Sequence, residues 1–166
     1  SVLANGGEHC EPFTINHVTD AQGNELLDNS VTCDQVISET TADQMTTMMQ
    51  TVVQSGTATR AQIGRPVAGK TGTTNSFRDA WFVGYTPQMA TAAWVGYEIP
   101  QSMYGILGFG RITGGSVPAL LWSDYMRPAV EPLPYESLPR VPLASCEPNC
   151  TDALDPFGDA DEEDGF

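Results

Sequence analysis

Hydrophobic and polar positions recur along this chain in two periods, and each predicts its own kind of element. Ala42, Met45, Met48, Met49, Val52 and Val53 fall at helical spacing and predict one buried stripe. Thr40 and Thr41 open that helix. Each has a capping-box partner three residues on, Asp43 and Gln44, and Ser55-Gly56 ends the element. A Met-rich stripe also suits an adaptable groove, but core packing is the plainer expectation. A second helix begins at Ser116 with Pro118 in its first turn, where a missing N–H costs little. Val117, Leu120, Leu121 and Tyr125 share one face, and Pro128 is the expected stop.

Strand signals fill the rest. Residues 13–19 and 25–27 flank the turn 20–24 and predict a small hairpin. Residues 66–74, 80–86 and 90–97 predict three longer strands, joined too closely for a crossover and hence antiparallel. The middle one carries Trp81, Phe82 and Val83 in succession, apolar on both faces, as a strand covered on both sides should be. Residues 1–7 resemble the glycine-stopped end of a helix whose body lies upstream, as in a fragment of something larger. Residues 98–115 predict a Gly-rich loop, and there is no internal repeat.

Length and charge narrow the function classes. A chain of 166 residues sustains one core and is short for two. The formal net charge of −14 argues against nucleic acid and against an anionic membrane surface as partners. Much of that charge sits in Asp152, Asp155, Asp159, Asp161, Glu162, Glu163 and Asp164, with no basic residue after Arg140. The folded part is expected over residues 1–130, and residues 131–166 are expected to form a Pro-rich, then acidic, disordered tail. No run of about 18 apolar residues exists, so no membrane span is expected within the chain. No signal peptide is present; for an exported protein the targeting signal is expected to have been removed or to lie upstream of Ser1.

Four cysteines form two local pairs, Cys10 with Cys33 and Cys146 with Cys150. The two histidines, His9 and His17, lie far from the second pair, so no four-ligand zinc set emerges and no metal is expected. Disulfides are the favoured expectation for both pairs, with free buried thiols as the alternative. Disulfides imply an oxidising, extracytoplasmic setting.

Lys70 is the only lysine, set among glycines and threonines at positions 64–75. A cation in a hydroxyl-rich, small-residue segment suits a carboxylate or a developing oxyanion. Gly64, Gly69, Lys70 and Thr71 satisfy the letters of a phosphate loop. Such a loop follows a buried strand and opens a helix. Here the preceding residues 57–63 are polar and strands follow the lysine. Lys-Thr-Gly on the edge strand of an antiparallel sheet fits better. That triplet serves serine acyl-transfer enzymes alongside Ser-x-x-Lys and Ser-x-Asn elements. Alternation along a strand puts Lys70 and Gly72 on one face and Thr71 and Thr73 on the other, so twist or a local distortion at Gly72 is expected to reconcile them. Gly72 also lets a substrate backbone approach closely.

The embedding is what makes the triplet specific. Residues 64–75, the run Arg78-Asp79-Ala80-Trp81-Phe82-Val83-Gly84-Tyr85-Thr86-Pro87 and the run Ala93-Trp94-Val95-Gly96-Tyr97 resemble the transpeptidase domain of bifunctional, class A penicillin-binding proteins. Residues 3–7, Gly114-Gly115-Ser116 and the helix bearing Trp122 match as well, over roughly residues 1–130. The cysteine pattern is most similar to actinobacterial members. The resemblance implies an α+β fold, an antiparallel sheet with helices packed on both faces, present here as a partial domain. It implies a D,D-transpeptidase that cross-links peptidoglycan stem peptides by serine acyl transfer, is acylated by β-lactams, and uses no cofactor. Lys70 would act electrostatically and in proton transfer. Thr71 and Thr73 would bind the substrate carboxylate, with Gly72, Thr74 and Asn75 beside them, and the Thr73 N–H would serve an oxyanion.

The departures are as informative. Val67 stands three residues before the only lysine, so the chain holds no Ser-x-x-Lys, and no Ser-x-Asn lies where the family has one. The resemblance therefore places the nucleophile upstream, with a glycosyltransferase domain and a membrane anchor. The implied partners are the stem peptide, β-lactams and the N-terminal remainder of the same protein. A β-lactam sensor, a non-catalytic peptide-binding module and a serine β-lactamase are the alternatives. Among the other residues, Arg78 and Asp79 are expected to pair in a turn, and Trp81, Trp94 and Trp122 to be core. Tyr104, Phe109 and Arg111 either rim a peptide cleft or decorate a plain surface loop.

Overall fold

The computed structural model describes residues 2–142, so Cys146, Cys150 and the acidic run lie outside the described residues. The chain is α+β, with antiparallel strands throughout. Residues 2–7 wind as turns closed by the Gly7 N–H, which donates to the Val2 C=O at 2.9 Å. An arm of two hairpins follows. β1 (Glu8–Cys10) pairs with β4 (Cys33–Gln35), and β2 (His17–Thr19) pairs with β3 (Glu25–Asp28). The inner hairpin was legible as a pattern; the outer pair was not, because three-residue strands carry no period. Cys10 and Cys33 sit opposite one another in the ladder and form a disulfide. Asp20 closes the inner turn. Hydrogen bonds from the Asn24 side chain, then the Asn24 and Gln22 backbone, hold its carboxyl below the usual range.

Helix α1 (Glu39–Gln54) starts ahead of the expected threonines, because Ser38 is the cap and its Oγ accepts from the Thr41 N–H at 3.2 Å. Its buried face is Ala42, Thr46, Gln50 and Val53, while Met45 and Met48 are exposed. The expected methionine stripe is thus corrected in favour of polar residues that find partners. The Thr46 and Tyr85 hydroxyls lie 2.7 Å apart, and Gln50 Nε2 donates to the Pro139 C=O at 2.7 Å. Burial raises the Tyr85 phenol pKa against the opposing effect of that hydrogen bond.

β5 (Ala68–Thr73), β6 (Asp79–Tyr85) and β7 (Ala90–Gly96) form one sheet in that order, in unbroken antiparallel register. Helix α2 (Val117–Val130) covers one face. Phe82 meets Trp122 edge to face at 5.3 Å between ring centroids, within a cluster that also takes Val53, Ala119 and Met126. On the other face α1 brings Met49 and Thr46 to Ala68 and Tyr85. The rest of that face is open: Trp81 and Trp94 are each 44% exposed and Val83 is 46% exposed. Core positions for Trp81 and Trp94, and cover on both sides of β6, do not hold among the described residues. Those tryptophans lean on each other at 6.1 Å, and Trp94 Nε1 donates to Asp79 at 3.1 Å.

Two further expectations change. The Gly-rich segment contains the hairpin β8 (Tyr104–Ile106) and β9 (Phe109–Arg111), turned by Leu107 and Gly108 at positive φ. Helix α2 runs through Pro128 to Val130, and Leu121 and Tyr125 are exposed. Its buried stripe is Ala119, Trp122, Ser123, Met126 and Val130, set by what faces Phe82. Past residue 130, where the folded part is expected to end, side chains of the fold still hold the chain as far as Val141. Arg65 donates to the carbonyls of Leu133 and Pro134, each at 2.9 Å, and the Val141 N–H donates to Thr47 Oγ1 at 3.1 Å. Proline lacks a donor but keeps a carbonyl, and distant side chains serve these carbonyls.

Candidate active-site strand

β5 is the last strand of its sheet, so its outer edge has no partner among the described residues. Just past the strand, the Thr74 N–H donates to the Asp79 C=O at 3.0 Å. Bonded pairs alternate in an antiparallel ladder, so the Gly72–Trp81 and Lys70–Val83 pairs bond inward. Gly69, Thr71 and Thr73 therefore direct their N–H and C=O groups to the open edge. A substrate lying along that edge meets the Thr73 N–H.

The side chains divide as alternation requires. Thr71 and Thr73 project toward the start of α2. The Thr71 and Thr57 hydroxyls lie 2.8 Å apart, and the Gly114 N–H donates to Thr73 Oγ1 at 3.0 Å. With Arg60, Phe109, Thr113, Gly115 and Ser116 they line an open groove of about 450 Å³. Ser116 holds the N-cap position of α2 without a side-chain capping bond; its hydroxyl bonds the Thr113 backbone instead and so shapes the loop at the groove. Lys70 lies on the opposite face, exposed, and its Nζ donates to the Thr71 C=O at 2.7 Å. Of the two expected devices, twist or a local distortion at Gly72, the local distortion is absent, since the register runs straight through it. The lysine itself reconciles the two faces by reaching around the open edge. A Cβ on Gly72 would meet only the Trp81 Cβ, at 3.4 Å, so this chain's own packing leaves room there.

The remaining expected site residues separate. The Thr74 hydroxyl is committed to the turn, accepting from the Asp79 N–H at 2.8 Å. Asn75 opens a short 3-10 turn, Asn75–Phe77, and is exposed. Arg78 and Asp79 form no ion pair; among the described residues the one within 4.0 Å is His17 with Glu25. Asp79 faces Trp94 instead. Phe109 lines the groove, whereas Tyr104 and Arg111 pack against Phe77, at 5.3 Å and 5.2 Å. Sequence reasoning missed Thr57, Arg60, Thr113 and Ser116 as neighbours of the triplet. For Thr57 and Arg60 the one signal was the polar character of residues 57–63. Glu8 lies beside Cys10 and Cys33, but those sulfurs are bonded to each other and offer no thiolate to a metal.

Comparison with known proteins completes the picture. The family profile "Penicillin binding protein transpeptidase domain" matches residues 1–111. Penicillin-binding protein 1A of Aquifex aeolicus is 40% identical over 143 residues, 85% of this chain and 19% of that protein. Its counterpart in Neisseria lactamica is 40% identical over 145 residues, 83% of this chain and 18% of that protein. The chain thus spans about a fifth of the length of these relatives. They lend no support to an actinobacterial source. Among solved structures, the penicillin-binding protein PonA1 from Mycobacterium tuberculosis superposes with a TM-score of 0.75 at 31% identity, covering 89% of this chain and 43% of that one. PonA1 in complex with penicillin V gives 0.72 at 32% identity, covering 86% and 39%. With two thirds of the sequence matched by one family profile and the same fold in its solved members, the chain belongs to the penicillin-binding protein transpeptidase domain family, in its class A branch.

Proposed function

We propose that this chain forms the Lys-Thr-Gly wall of a peptidoglycan D,D-transpeptidase site, completed by a serine and its lysine base from sequence outside these 166 residues. The observation that carries this is the open edge of β5, with the Thr73 N–H directed outward, Lys70 reaching the same edge and two threonine hydroxyls behind it. The serine oxygen attacks the penultimate D-alanine carbonyl, and the carbonyl oxygen becomes an anion held by the Thr73 N–H and the serine's own N–H. One such donor is typically worth about 3–4 kcal/mol. The tetrahedral centre collapses, the terminal D-alanine leaves as an amine after protonation, and an acyl-serine remains. An amine of a second stem peptide then attacks the ester, gives up its proton, and regenerates the serine. β-Lactams enter by the same attack but keep their leaving amine tethered. Thr71 and Thr73 hold the substrate carboxylate, and Lys70 adds positive charge and serves proton transfer.

The same proposal covers the parent protein. It carries a glycosyltransferase domain and a membrane anchor upstream, works on the extracytoplasmic face, and contributes residues 1–130 of this numbering to the transpeptidase domain, with the segment up to Val141 held against it. The existing PonA1–penicillin V complex supports β-lactam binding by this family. The test is covalent labelling. Fluorescent penicillin should acylate the parent protein, and Lys70→Ala should slow that acylation by about 100-fold or more, as loss of a catalytic acid–base group does. The isolated chain should take up no label. Labelling of the isolated chain, or an indifferent Lys70→Ala, refutes the assignment.

A further inference from the structure

The positive charge in the threonine groove belongs to Arg60, not to Lys70. Arg60 lies in the 3-10 turn Thr59–Ala61 and shares the groove with Thr57, Thr71, Thr73 and Thr113. Lys70 stands on the opposite face with its ammonium engaged by the Thr71 C=O. The Arg60 guanidinium is held over the Phe109 ring, 5.5 Å from its centroid. That contact uses its charge but none of its five N–H donors. Among the described residues no carboxylate lies within 4.0 Å of it, and none of the groove's lining residues is acidic. The result is an exposed, oriented guanidinium without an anion, beside hydroxyl donors, in an open groove large enough for the end of a peptide.

We propose that Arg60 is a substrate-binding residue, supplying the cation that the threonine hydroxyls lack for a carboxylate in this groove. The planar guanidinium matches a carboxylate with two parallel N–H···O bonds, and hydroxyls on the neighbouring strand complete the shell. Phe109 thereby gains a purpose: the β8–β9 hairpin holds the guanidinium in place. The inference rests on the transpeptidase reading above and assigns its carboxylate recognition jointly to Arg60, Thr71 and Thr73.

Two ligands separate charge recognition from scaffolding. Benzylpenicillin carries the carboxylate, and its methyl ester does not. In the parent protein, Arg60→Gln should slow acylation by benzylpenicillin about tenfold or more, the loss of one charge-assisted hydrogen bond. Acylation by the methyl ester should be unchanged, and Arg60→Lys should recover part of the loss. The acid-to-ester rate ratio is independent of the fraction of protein folded, so a destabilised variant still gives an answer. Equal slowing of acid and ester, or no slowing of either, overturns the role of Arg60 while leaving the transpeptidase assignment intact. Absence of acylation by either ligand in the unsubstituted parent removes that assignment and this subsite together.

Discussion

Gly114 shows how little room the threonine strand has behind it. A Cβ there would come within 2.6 Å of the Gly72 carbonyl oxygen and 2.9 Å of its nitrogen, and would press on the Trp81 carbonyl. Backbone on all sides cannot swing away as a side-chain tip can. Gly114→Ala should therefore lift the loop from β5, break the hydrogen bond to Thr73, and destabilise the fold by about 1–3 kcal/mol as other overpacked sites do. Urea denaturation of the substituted chain reads this directly; an unchanged midpoint would show that the loop yields freely. In the sequence, Gly114-Gly115 was visible as part of a family resemblance, with no physical reason attached. The reason appears only when residue 114 is laid across residues 72 and 81, far from it in the chain.

Among the elements, the arm of residues 8–35 differs most from the rest. Its strands are three or four residues long, they bury little, and Phe13, Leu26, Leu27 and Val31 are exposed. The Cys10–Cys33 disulfide closes a loop with a sequence separation of 23. A cross-link of that span stabilises by about 2–4 kcal/mol through the unfolded state. Paired Cys10→Ser and Cys33→Ser substitution should thus accelerate hydrogen exchange in residues 8–35 while β6 amides stay protected by the Phe82–Trp122 cluster. Uniform acceleration across both regions would mean that the arm and sheet open as one unit. The helices and the three-stranded meander were legible because their apolar residues repeat over 6 to 16 residues. Which face each helix buries was not. Thr46 and Gln50 beat Met45 and Met48 to the interior because hydroxyl and carbonyl partners wait there, and hydropathy does not record such partners.

At the scale of the whole molecule, one sheet face is packed and the other presents Trp81, Val83 and Trp94 beside the Lys70 edge. The proposed parent covers that face. Single-tryptophan variants test this: in the isolated chain, acrylamide should quench Trp81 and Trp94 readily and leave Trp122, which is fully buried, protected. In the parent, Trp81 and Trp94 should become protected too. Equal quenching in both proteins would leave the face uncovered and argue against the proposed remainder. From the sequence by itself came the antiparallel meander, the two helices, the expectation of a Cys10–Cys33 disulfide and the Lys70-Thr71-Gly72-Thr73 motif as a candidate site. These follow from local periodicity, local spacing and a motif read within one strand. The tertiary structure alone decided that the threonine hydroxyls and the lysine lie on opposite faces of an open edge, and that Arg60 shares the threonines' groove. It also decided that the Pro-rich segment stays tied to the fold as far as Val141. Each of these depends on residues brought together from distant parts of the chain, and such contacts are fixed by packing rather than by any repeat along the sequence.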